Sequence, residues 1–276
     1  MDSTSNPDTG SASRSDSEPP PYLPVTFTRL QALARRFPSL QVENCGWWEE
    51  AGRQWGILRL RFSGPKAAFT PFKVAVFAGI HGDEPGGTEA VLHLLDRLQA
   101  NPAVAAGYEL FFYPCCNPVG MYRGTRGNGG GIDLNRAFWC EHEAVEVRLM
   151  EQELRSISFD GIISLHADND SDGLYGFTLG QLLNQMLLEP ALRAAQSQLP
   201  LNAAGEIDGF NAKGGMIETC YQGVLSPLPG ANPRPFEIIF ETPGRAPLEA
   251  QAFAGALAIE AILEQYRSFM AYSINL

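Results

Sequence analysis

Three short apolar runs dominate the reading of this chain: Lys73 to Ile80, Phe159 to Leu165 and Glu237 to Glu241. Each is too short for a buried helix and lacks the alternation of a half-wet strand, so each is predicted to be a strand covered on both faces. Between them lie segments of helical spacing. Phe27 to Phe37, Glu89 to Leu98, Val145 to Ile157, Leu182 to Gln198 and Leu248 to Tyr266 carry apolar residues at three- and four-residue steps. Trp55 to Phe62 and Tyr108 to Tyr113 add two further strands. Strands alternating with helices predict an α/β fold, a mixed and mostly parallel central sheet flanked by helices. In such sheets the chemistry sits just past the strand ends.

Composition narrows the function classes. The 276 residues carry 20 Lys+Arg against 31 Asp+Glu, a formal charge of −11. A nucleic-acid binder needs a basic face and a membrane-surface protein a basic patch, so neither partner is expected. No apolar run reaches the ~18 residues needed to span a bilayer. Residues 1–21, rich in Ser, Asp, Thr and Pro, have too few apolar groups to offset ordering entropy and read as a disordered tail. Residues 22–276 read as one continuous α/β domain. The tail lacks the pattern of a secretory signal, and five cysteines without a CxxC pair fit reduced thiols, which together point to the cytoplasm. Cys115 and Cys116 read as small core residues.

The strand ends carry the candidate chemistry. The first reads Gly79-Ile80-His81-Gly82-Asp83-Glu84-Pro85. His81 and Glu84 can be aimed at one point by a turn, which suits Zn²⁺, although Asp83 or Glu84 before Pro85 is also how a helix begins. The second places His166 directly after Ile162-Ile163-Ser164-Leu165, 85 residues beyond His81. Two histidines and a glutamate make a three-ligand set with a fourth position open for water. The third ends in Glu241-Thr242-Pro243-Gly244, where Glu241 is either a carboxylate on turn amides or a general base. Between the first two lies a Gly-rich stretch, Asn117 to Arg136, with Arg123, Arg126 and Arg136 against Asp133. Guanidinium forks hold carboxylates. No GxxxxGK[ST] occurs, so a nucleotide is discounted.

Taken in order, His81-x-x-Glu84, Asn117-Pro118-x-Gly120, Arg126, Asp133-Leu134-Asn135-Arg136, His166 and Glu241-Thr242-Pro243 resemble the M14 zinc metallocarboxypeptidases and the nearby succinylglutamate desuccinylase/aspartoacylase branch. The resemblance implies a carboxypeptidase-like sheet and one Zn²⁺ per chain on His81, Glu84 and His166. It implies that Glu241 is base and proton shuttle for attack by zinc-bound water, and that Arg126 polarises the scissile carbonyl. Asn135 and Arg136 would grip a terminal carboxylate, and Asp133 would orient His81. Tyr221 is the candidate for the mobile tyrosine of such peptidases. The implied substrate is a small peptide or acyl amino acid with a free carboxylate. The implied activity is that of a carboxypeptidase, with an N-acyl amino acid deacylase as the alternative and a non-catalytic binding module as a third reading. Asp83, where the deacylase branch usually has Asn, leans towards the peptidase.

Three other patterns read as bland. Asp168-x-Asp170-x-Asp172-Gly173 opens like a calcium loop but has Leu179 where its bidentate Glu belongs, so a solvated turn is expected, the alternative being a place for Asp168 near the metal. His142 to Glu146 imitates HExxH without its second His and reads as a solvated helix face. His93 reads as structural. With only three Lys against 17 Arg, three of the latter between positions 123 and 136, the cleft is expected to be locally positive.

Overall fold

The computed structural model describes residues 22–67, 69–179 and 182–273, so the expected tail lies outside the described residues. The helices are α1 (Tyr22–Arg36), α2 (Pro85–Ala100), α3 (Pro118–Arg123), α4 (Val145–Ser156), α5 (Leu182–Ala195) and α6 (Leu248–Ser273). The long strands are β1 (Leu40–Glu50), β2 (Arg53–Ser63), β3 (Phe72–Ala78), β4 (Tyr108–Tyr113), β5 (Gly161–Asp168) and β10 (Phe236–Pro243). Four short ones, β6 (Tyr175–Phe177), β7 (Glu206–Ile207), β8 (Phe210–Asn211) and β9 (Met216–Ile217), fall between β5 and β10.

One eight-stranded sheet runs in the order β1-β2-β4-β3-β5-β10-β6-β9. Its central strands β4, β3, β5 and β10 are mutually parallel. The β1–β2–β4 edge and the β10–β6 pair are antiparallel. This is the mixed α/β sheet expected.

The apolar runs are buried on both faces for a simple reason. Val74, Val76 and Ala78 point to one side and pack with α1, α2, α5 and α6, while Ala75 and Phe77 point to the other and meet Val147, Met150 and Leu154 of α4. Each buried Val, Phe, Met or Leu among them contributes roughly 1.5–3 kcal/mol of transfer free energy. Among the described residues no helix is long and apolar enough to cross a membrane.

The sheet order also locates the cleft. β3 connects through α2 to β4 on one side, and β4 connects through α4 to β5 on the other. The chain therefore changes direction between β3 and β5, and a crevice opens at their carboxyl ends. Register sets what faces it: Ala78 pairs with Leu165, and Glu241 pairs with His166.

Candidate active site

His81 and Glu84 leave β3 through a turn that brings them to His166 at the end of β5. His81 Nδ1 lies 2.6 Å from Glu84 Oε1. His166 Nδ1 lies 3.0 Å from Glu84 Oε2 and 3.3 Å from His81 Nδ1. All three residues are buried, and their ligand atoms lie within 4.8 Å of one another, the only such group among the described residues. Glu84 begins α2 in position, with Pro85 at the first turn, but its side chain makes no cap bond. It faces the histidines instead.

The far side of each imidazole is held. His81 Nε2 is 3.1 Å from Asp133 Oδ1, and His166 Nε2 is 3.0 Å from Ser164 Oγ and 3.5 Å from Asn135 Nδ2. With Nε2–H donating outward, both Nδ1 lone pairs point inward beside a carboxylate. Two nitrogen donors and one oxygen donor with one open side are the ligand set of a catalytic zinc, so the residues fit that ion. Glu84 is fixed further by the Ala167 amide, which donates to Oε2 at 3.1 Å, and by Arg126, whose Nη1 donates to Oε1 at 3.3 Å.

The charges follow from this packing. Burial alone would raise Glu84, but the hydrogen bonds and charges of His166 and His81 outweigh it and hold the carboxyl at about 2. Asp133 is likewise held low against its burial by His81 and Arg126. Burial lowers His166, whereas His81, which burial would lower, is raised by Asp133 and Glu84. Glu241 goes the other way: burial, then Glu84, Asp168 and Asp208, push it well above a normal carboxyl. No turn amide donates to it among the described residues.

A cavity of about 330 Å³ opens over these groups. Arg126, Asn135, Arg136, Tyr221 and Glu241 all line it, as does Asp168. Arg136 lies over the Tyr221 ring, its guanidinium carbon 4.1 Å from the centroid, and the Tyr221 hydroxyl donates to the Asp208 carbonyl at 3.0 Å. Asp208 and Gly209, at φ 53° and 77°, make the tight β7–β8 turn that delivers this wall. Asn135 Oδ1 accepts from the Leu225 amide at 2.9 Å, while its Nδ2 is the group beside His166 Nε2.

Several expectations are corrected. Arg123 does not face the cavity; it donates to the Gly129 carbonyl at 2.8 Å and pairs with Glu50 at 3.5 Å. The cavity is not an arginine-rich cleft. Two arginines share its lining with Asp83, Glu84, Asp168, Asp170, Asp208 and Glu241. Glu146 is not on a solvated face but 2% exposed. Within the Gly-rich stretch Asn117 caps α3 by accepting from the Gly120 amide. Asp168, Tyr175 and Asp208 are the wall residues that the sequence motifs did not single out as binding groups. The Asp208-Gly209 turn pair was the available signal for the last. Asp168 Oδ1 accepts from the Asp170 amide and its Oδ2 from the Tyr175 hydroxyl, so the calcium-like run is a turn that forms part of that wall. Cys115 and Cys116 are core residues, and His93 packs on Phe253, as expected.

Residues 72–201 match the family model of the succinylglutamate desuccinylase/aspartoacylase catalytic domain. This stretch is similar to that catalytic domain. Solved structures share its fold. A Shewanella amazonensis protein considered a metallopeptidase is 23% identical, with 87% of this chain and 91% of that one covered at a TM-score of 0.70. A metallo-carboxypeptidase from Burkholderia cenocepacia is 21% identical over 88% of this chain and 68% of that one, with a TM-score of 0.68. A Pseudomonas aeruginosa metallo-carboxypeptidase in complex with (2-guanidinoethylmercapto)succinic acid is 19% identical over 87% and 68%, with a TM-score of 0.66. No curated protein matches the sequence. The family-model match and the shared fold bear out the resemblance carried by the motifs.

Proposed function

We propose that the chain is a zinc-dependent carboxypeptidase that hydrolyses a C-terminal peptide or amide bond next to a free carboxylate. The observation that carries this reading is the convergence of His81 Nδ1, Glu84 and His166 Nδ1 beneath a cavity also lined by Glu241, Arg126 and Arg136. His81, Glu84 and His166 would hold one zinc ion, which supplies a Lewis acid and brings the pKa of a water towards ~7.

The chain's own groups divide the remaining work. Glu241, with a carboxyl raised by burial and by neighbouring carboxylates, takes the proton of the attacking water and returns it to the leaving amine. Arg126, tethered through Asp133 at 3.1 Å and half exposed, turns its guanidinium towards the developing oxyanion. Arg136, stacked on Tyr221, and Asn135, which lines the same cavity, receive the substrate carboxylate. Tyr221 walls the same end. The (2-guanidinoethylmercapto)succinic acid in complex with the Pseudomonas aeruginosa carboxypeptidase bears carboxylates, which supports a carboxylate-bearing substrate here.

The second reading, an N-acyl amino acid deacylase, is favoured by the family match over residues 72–201. It uses the same machinery. Asp168, Asp170 and Asp208 weigh against it, because they would repel a substrate with several carboxylates, such as succinylglutamate. All five cysteines are free thiols, which supports a reducing compartment such as the cytoplasm. A mass-spectrometric panel of peptides, D-amino-acid-containing muropeptides and N-acyl amino acids, with and without chelator, separates the readings. Chelator-sensitive release of a C-terminal residue supports the carboxypeptidase. Turnover confined to acyl amino acids supports the deacylase and overturns the first reading.

A further inference from the structure

The loop from Arg126 to Asp133 touches two of the three metal-binding side chains without supplying any of them. At one end Asp133 engages His81 Nε2, at the other Arg126 engages Glu84, and the two ends bond each other, Arg126 Nε donating to Asp133 Oδ2 at 3.1 Å. The shape of this loop therefore sets both partners of the site at once.

Within it Asn128 uses every polar group it has. Its Oδ1 accepts from the Gly130 and Ile132 amides at 3.0 Å. Its backbone N–H donates to the Ile132 carbonyl and its carbonyl accepts from the Gly131 amide, both at 2.9 Å. Its Nδ2 donates to Glu146 Oε2 at 3.1 Å. Glu146 sits in the first turn of α4 and is buried, and its Oε1 has no partner among the described residues. Leaving a buried acceptor unmade is destabilising, so this glutamate works against the stability of the helix face that carries it. Burial, reinforced by Glu50, also favours its protonated form. The side chain is placed to hold the loop, and it needs no charge to do so.

We propose that Asn128 and Glu146 form a strut that positions Arg126 and Asp133 against the metal ligands. Neither residue reaches the substrate cavity, so both are positioning residues. The inference rests on the metal-site reading above, and the test keeps the two separable. Metal-stripped wild type, Asn128→Ala, Glu146→Ala and Glu146→Gln are each titrated with zinc against a chelating dye, assayed for kcat and KM, and melted.

Asn128→Ala and Glu146→Ala should bind zinc about 10-fold more weakly, the lower end for an outer-shell partner. Their kcat should fall more than KM rises. Glu146→Gln, whose amide oxygen still accepts from Asn128, should restore both to near wild type. Folded Asn128→Ala with wild-type zinc affinity and kcat overturns the strut. So does Glu146→Gln failing as badly as Glu146→Ala, and so does a kcat loss that only tracks the folded fraction. If Glu146→Ala does not fold, the half-buried Asn128 variant decides the matter. A wild-type chain without His81-dependent zinc binding would instead overturn the metal site itself.

Discussion

Replacing Asp133 by Asn should separate the metal's support from its ligands. The Asp133 carboxylate accepts from His81 Nε2 and Arg126 Nε at 3.1 Å and from the Asn135 amide at 2.9 Å. Asn keeps the volume and one acceptor but turns an NH2 group towards donors. A hydrogen bond to a charged group is worth about 1.5–3 kcal/mol, which corresponds to roughly 10- to 100-fold in zinc affinity. That range agrees with the typical loss of an outer-shell carboxylate. The Arg126 pair adds well under ~1 kcal/mol, since that side chain is 48% exposed. Stability should change with a definite sign. Asp133 is held below its ordinary value, so its contribution is present above ~3.9, the unfolded value, and is lost as pH falls through the lower folded one. The metal-free variant should melt below wild type at neutral pH, with the gap closing below about pH 4. Dye competition and melting at several pH values measure both. Wild-type zinc affinity together with an unchanged pH profile in Asp133→Asn would refute the reasoning.

Other perturbations follow from the same geometry. Arg136→Ala should raise KM roughly 10- to 100-fold on substrates with a free carboxylate and leave amidated analogues almost untouched, as steady-state kinetics would show. Gly82→Ala should destabilise by at least ~2 kcal/mol and abolish zinc binding in melting and titration experiments, because the added Cβ would lie 2.0 Å from the Gly120 carbonyl carbon, a backbone atom that cannot swing aside. Glu237, 3% exposed beside Arg234 and raised by burial from 4.5 to about 7, stabilises the fold below its unfolded value and loses that contribution as pH rises through 7. Glu237→Gln should therefore gain on wild type in melting temperature between pH 5 and pH 8, by up to ~3 kcal/mol in stability.

Much of this was legible in the chain because burial leaves a mark on composition. β3, β5 and β10 are central and read as unbroken apolar runs, and the residue after each run was in place to carry chemistry. β1 escaped notice because Leu40–Glu50 is an edge strand with polar residues, and a register shift between Asn44 and Gly46 breaks its alternation. The strands from β6 to β9 are two or three residues long, too short to show a period. α3 is short as well, yet Asn117-Pro118 is a cap followed by proline at the first turn, and that signal was available.

The site was legible for a different reason. His81, Glu84 and His166 lie where strands end, so sequence position predicts place. The cavity wall does not work that way. Asp168, Tyr175 and Asp208 meet only through tertiary pairing, and Arg123 turns to Glu50 because α3 directs it there. Net charge along a stretch of sequence therefore said little about the charge lining the cavity.

The central claim is that His81, Glu84 and His166 hold one catalytic metal. The direct test is equilibrium zinc titration of metal-stripped wild type and His81→Ala, both shown to be folded by circular dichroism. Wild type should bind one tight zinc per chain, and the variant should lose it. Wild type that binds no zinc, or a variant that binds it equally well, would contradict the account.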